Sequence, residues 1–146
     1  MSRPPTKCDI PFQNGEEIAA MVAQFEGCIW PYSRWTHRAH IAVAACYLLR
    51  FSFDEAVSRV RHYIQAYNKT CGDPDGYHET ITIFYMRLLW QQLTMVTEGT
   101  DIADFVNQTA ASFPMSFLSR FYSAELLWSP QARIAWVEPD GEPLPF

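Results

Sequence analysis

Residues 33–80, SRWTHRAHIAVAACYLLRFSFDEAVSRVRHYIQAYNKTCGDPDGYHET, decide the fold, because two helices and the start of another follow one another there with little chain between. Ser33 offers an oxygen to cap a helix running to about Arg50, and the stretch from Ile41 to Leu49 is apolar and alanine-rich, suited to close packing. Ser52-Phe53-Asp54-Glu55 is a capping box, its hydroxyl and carboxylate satisfying N–H groups that a first helical turn leaves without partners. The helix it starts runs to near Thr70. Gly72-Asp73-Pro74-Asp75-Gly76 is a turn cluster, after which a helix from about Tyr77 to Thr97 is apolar almost all round and is expected at the centre of the molecule.

On the N-terminal side, Asn14 followed by Gly15, Glu16 and Glu17 is a helix start. Ile18, Met21, Val22 and Phe25 then recur at helical spacing until Gly27 stops the run. Pro4, Pro5 and Pro11 predict an extended arm over 1–13. On the C-terminal side, Gly99-Thr100-Asp101 sets off a helix over about 101–112, ended by Pro114. Ser116 and Ser129-Pro130 mark short further helices, and the three prolines of 138–146 predict an extended tail. Short connections between long helices favour antiparallel neighbours. The expectation is one all-α domain over 1–146, an up-down bundle of four main helices with shorter C-terminal helices.

Composition narrows the function classes. A chain of 146 residues buries roughly two-thirds of its unfolded surface, so it needs neither a metal nor a disulfide merely to fold. With 49% hydrophobic, 15% aromatic and 18% charged residues it reads as globular, with aromatic surface to spare for a pocket or a homodimer interface. A net charge of −5 with scattered Lys and Arg argues against a nucleic-acid partner. No apolar run is long enough for a membrane span, and MSRPPTKCDIPF has no signal-sequence core, so a cytoplasmic protein is expected. Cys8, Cys28, Cys46 and Cys71 form no C-x-x-C pair and read as buried thiols.

Up-down order brings the end of the first helix (Glu26), the start of the second (His37, His40), the end of the third (Tyr67, Asn68) and the start of the fourth (His78, Glu79) to one end of the bundle. His37 and His40, three apart, share a helical face and could converge on one ion, with His78 approaching from another helix. Glu26, on an apolar stripe beside the negative end of its helix, calls for a cation: a metal, Arg34 or Arg38. Glu79 in a first helical turn is stabilised by the dipole and is a candidate general base. His62, about two turns away, is left out. Trp30, Trp35 and Tyr77 flank the cluster, either as plain packing or as the wall of a ligand pocket.

Phe25-Glu26-Gly27, Trp35-Thr36-His37-Arg38-Ala39-His40 and Tyr77-His78-Glu79-Thr80-Ile81-Thr82, with Tyr122-Ser123, Ser129, Ala132-Arg133 and Pro139-Asp140, resemble the motifs of a family of small uncharacterised bacterial proteins. No established activity comes with that resemblance. It implies a shared site at Glu26, His37, His40, His78, Glu79 and Arg133, with Arg133 either binding substrate alongside Trp35 and Tyr77 or pinning the tail by an ion pair with Asp140. The chain departs from the pattern at Cys28-Ile29-Trp30-Pro31.

Two readings of function result. In the first, a metal-dependent enzyme holds a mononuclear divalent ion, zinc or iron before nickel or copper, on His37, His40, His78 and Glu26, with Glu79 as base in hydrolytic or oxidative chemistry. In the second, the histidines form a polar layer in a non-catalytic module that binds a small molecule or a protein, or that senses metal or pH.

Overall fold

In the computed structural model, which describes residues 6–146, each long helix starts at a side chain that accepts a hydrogen bond from its own first turn. Asn14 caps α1 (Gly15–Glu26), Thr36 caps α2 (His37–Arg50), Ser52 caps α3 (Phe53–Thr70), His78 caps α4 (Glu79–Met95) and Asp101 caps α5 (Ile102–Ser112). Such a cap contributes about 1 kcal/mol. Short helices α6 (Ala124–Leu127) and α7 (Pro130–Ile134) are capped by Ser123 and Ser129, with Pro130 in the first turn, where its missing N–H costs nothing. The described residues contain helices and no strand, and no helix among them is long and apolar enough to cross a membrane.

Three local expectations change. Ser33 sits in a single 3₁₀ turn (Tyr32–Arg34) closed by the Arg34 N–H on the Pro31 carbonyl, so α2 starts later, where the Thr36 hydroxyl accepts from Ala39 N–H. Likewise Ser116 lies inside a 3₁₀ segment (Met115–Arg120) that follows Pro114 and has no side-chain cap. At the end of α1, Ile29 N–H reaches back to Gln24 O and Cys28 N–H to Phe25 O, a Schellman arrangement. The left-handed residue it requires is Cys28, at φ 58°, not Gly27, whose φ is −81°.

The centre of the bundle is α2 rather than α4. It packs against α1, α3, α4 and α5, whereas α4 lies between α2, α3 and α7 and turns Arg87 and Trp90 outward. The physical reason is the alanine run: Ala39, Ala42, Ala44 and Ala45 are all buried and let neighbouring backbones close in on every side of α2. The rest of the core comes from Ile18, Met21, Phe25, Val60, Tyr67, Phe84 and Leu88.

The segments flanking the helices, residues 6–13 and 135–146, are both fastened. Pro4 and Pro5 lie outside the described residues. Residues 6–13 run without regular structure, and Phe12 is buried with its backbone N–H and C=O both bonded to the Asn107 amide on α5. Arg38 bridges Asp9 and the same Asn107. In the tail, Gly141 and Glu142 N–H groups bond to Phe121 and Arg120 carbonyls. A side chain at 141 would stand 2.6 Å from the Arg120 oxygen, so only glycine fits there. Asp140 does not pair with Arg133. Its carboxylate accepts from the Ser123 N–H at 2.7 Å and the Ser123 hydroxyl at 2.6 Å, while Arg133 donates to the Asp75 carbonyl and lies over Trp128.

Candidate functional site

Between α2, α3 and α4 lies a cavity of about 410 Å³ lined by His37, His40 and His78 among others. The antiparallel order explains its polarity. The start of α2, the end of α3 and the start of α4 meet at one end, where Asn68, Tyr77, Thr82 and Tyr85 join the histidines. Two turns further along the same helices, the lining becomes Ala44, Val60, Met86 and Leu89. Asp73, Trp128 and Arg133 line it from the 71–78 loop and the C-terminal helices.

Each histidine is oriented by the backbone. His40 donates Nδ1–H to the Thr36 carbonyl at 2.7 Å, which leaves Nε2 as a lone-pair acceptor. Trp35 stacks on that imidazole with centroids 3.7 Å apart, and Phe25 stacks on Trp35 at 4.7 Å. Burial depresses the His40 pKa to about 4, against the raising effect of the Thr36 carbonyl, so the ring is neutral at neutral pH. His37 donates Nε2–H to the Phe113 carbonyl at 2.8 Å, leaving Nδ1 as acceptor; burial lowers its pKa too, although the Phe113 bond and Asp9 oppose the shift. The Tyr85 hydroxyl donates to the neighbouring Pro114 carbonyl.

His78 is differently employed. Its Nδ1 accepts from Ile81 N–H at 3.2 Å as the cap of α4, and its Nε2–H donates to the Leu127 carbonyl at 2.6 Å, tying α4 to α6. Both ring nitrogens are therefore committed, and no lone pair remains for an ion. Burial, together with the nearby Arg133 charge, lowers its pKa despite the Leu127 bond.

The two predicted carboxylates also stand elsewhere. The end of α1 does reach the histidine end, but Phe25 is the residue that meets it, through Trp35. Glu26, one position on, lies near Cys46 and Tyr47 on the later half of α2, where its charge reaches both groups. It lines no part of the cavity. Neither predicted arginine answers it: Arg38 pairs with Asp9, and Arg34 lies over the Trp30 ring. Glu79 is buried and gripped by the Arg61 guanidinium, with Nε–H donating at 3.0 Å, and by the Tyr77 hydroxyl. Burial alone would push its pKa up, but these bonds and the Arg61 charge outweigh it and hold the carboxyl below its usual range. A carboxylate so engaged is a poor base. Among the described residues no group of three or more His, Cys, Asp or Glu side chains is arranged to hold a metal ion.

Of the predicted substrate contacts, Tyr77 and Arg133 line the cavity and Trp35 does not; Trp35 and Trp30 are buried as packing, Trp35 behind His40. His62 is exposed and outside it. Cys71 donates its thiol hydrogen to the Cys28 carbonyl, and all four cysteines are free; none is the fully buried thiol expected, since Cys8 is exposed and the other three are half-buried.

Asn68 is the residue whose role sequence reasoning missed. It is only 7% exposed, lines the cavity, and its side-chain amide has no hydrogen-bond partner among the described residues. Its place at the end of the third helix was readable; its freedom from local capping bonds was not. Trp128 and Met115 come to the cavity from the C-terminal third, where no periodic signal announced them. No family model, curated protein or solved structure matches the chain.

Proposed function

We propose that this chain is a helical ligand-binding module whose cavity takes up one small amphipathic organic molecule, apolar along α2, α3 and α4 and polar where His37, His40 and Asn68 stand. The observation that carries the reading is a half-open pocket whose polar end gathers the His37 and His40 lone pairs and the Asn68 amide, which has no side-chain partner among the described residues, above an aliphatic wall. A bound molecule that pairs with these groups in place of water gains about 0.5–1.5 kcal/mol per hydrogen bond. The volume of about 410 Å³ falls in the range of sites that bury most of a small ligand.

The metal-enzyme reading has less support in this geometry. His78 spends both nitrogens on backbone, Glu26 stands elsewhere and Glu79 is held by Arg61, so only the His37 and His40 lone pairs remain of the expected ligand set.

The test is displacement of an environment-sensitive apolar dye, with melting temperature followed in parallel. Aliphatic probes are expected to displace the dye and raise the melting temperature in the wild type, and to do neither in Ile64→Phe, which fills the cavity from α3. Failure of every such probe to bind, or equal binding by a folded Ile64→Phe variant, would overturn the reading. Stoichiometric zinc or iron retained by the wild type and lost in both His37→Ala and His40→Ala would favour the metal reading instead.

A further inference from the structure

We propose that the polar end of the bound molecule is a neutral hydrogen-bond donor, with an aliphatic hydroxyl as the simplest case, rather than a carboxylate or an ammonium. The inference rests on reading the cavity as a binding site and goes beyond it by assigning the head-group chemistry.

The tautomers decide the matter. His40 gives its one hydrogen to Thr36 and His37 gives its one hydrogen to Phe113, both backbone carbonyls that accept and cannot donate. What each imidazole has left is a lone pair, and the Trp35 stack holds the His40 ring in place. The other polar groups at this end are already spent as donors, Thr82 on the His78 carbonyl and Tyr85 on Pro114. The Tyr77 hydroxyl is spent on Glu79. Asn68 has no side-chain hydrogen bond among the described residues; its oxygen packs against Gly72, and its NH₂ is the one uncommitted donor at this end.

A hydroxyl matches this set on both counts. It donates to an imidazole nitrogen and accepts from the Asn68 NH₂. A carboxylate only accepts, so beyond the Asn68 NH₂ it would face two imidazole lone pairs or force a proton onto rings whose burial disfavours it. An ammonium could donate, but would be stripped of water against a largely apolar wall, where the one carboxylate on the lining, Asp73, stands in solvent at the mouth and accepts from the Asp75 N–H, and Glu79 is engaged by Arg61. Arg133, also on the lining, is turned to the Asp75 carbonyl and the Trp128 face. The apolar lining is mainly aliphatic, which favours an alkyl body.

Calorimetric titration at neutral pH with octane, octanol, octanoate and octylammonium separates the possibilities, since the four share one alkyl body. Octanol is expected to bind at least about tenfold more tightly than octanoate or octylammonium, the scale of one hydrogen bond. In His40→Phe and Asn68→Leu, octanol should lose about tenfold while octane binds as well as before or better. Octanoate or octylammonium equal to or tighter than octanol would overturn the head-group assignment and leave the cavity reading standing. Binding of none of the four to the wild type would overturn both. The ranking on the wild-type protein needs no variant to fold.

Discussion

Tyr47 lies on α2 with its ring buried and its hydroxyl without any hydrogen-bond partner among the described residues. Burial, with Glu26 nearby, pushes that phenol far up, so it stays protonated and unpaired. Removing a buried, unsatisfied hydroxyl while keeping the ring should be favourable. Tyr47→Phe is expected to raise stability by about 1 kcal/mol in chemical denaturation; a loss of that size would mean the hydroxyl has a partner. Individual residues were legible in the sequence only in part. The spacing of His37 and His40 placed both on one face, and both line the cavity. It said nothing of which nitrogen each ring would keep, because that depends on the Thr36 and Phe113 carbonyls, the second of them brought there by α5. Glu26 shows the limit of a stripe argument. One residue around the helix from Phe25 is about 100° away, enough to exchange the histidine end for Cys46 and Tyr47.

At the scale of elements, α4 starts on a histidine, an unusual cap. Ring Nδ1 takes the Ile81 N–H as a serine oxygen would, and Nε2–H anchors Leu127 on α6. His78→Ala therefore removes two bonds and should cost about 2 kcal/mol, whereas His78→Asn, which restores the cap but not the Leu127 bond, should recover about half of that. Equilibrium unfolding of the two variants checks it; identical losses would show that the cap contributes nothing. The helices beginning at Asn14 and Ser52 were readable because those oxygens belong to the residue types that favour caps. His78 was not, since its capping role exists only in the neutral tautomer that Leu127 imposes. The later start of α2 was hidden for another reason: Ser33 and Thr36 both qualify as caps, and only the turn closed on Pro31 chooses between them.

For the whole molecule, the up-down bundle was legible because its capping signals and short connections agree, and the histidine end followed from that order. The central role of α2 was not, because alanine contributes little to an apolar score yet permits the closest approach of its neighbours. The assembled fold has a consequence for pH. His37, His40 and His78 all titrate below the ordinary histidine value of 6.5, so between that pH and about 4 the unfolded chain binds protons that the folded chain refuses. Stability is then fully present above about 6.5 and is lost as pH falls toward 4, by a few kcal/mol over the whole window.

The measurement that bears most directly on the cavity and its chemistry is nitrogen-detected NMR of the His40 ring, titrated with acid and then with octanol. The ring is expected to be neutral and to carry its hydrogen on Nδ1 down to a pH of about 5, and its Nε2 resonance is expected to shift as octanol binds. A hydrogen on Nε2, an imidazolium already formed near pH 6, or an Nε2 resonance unmoved by saturating octanol would contradict that expectation.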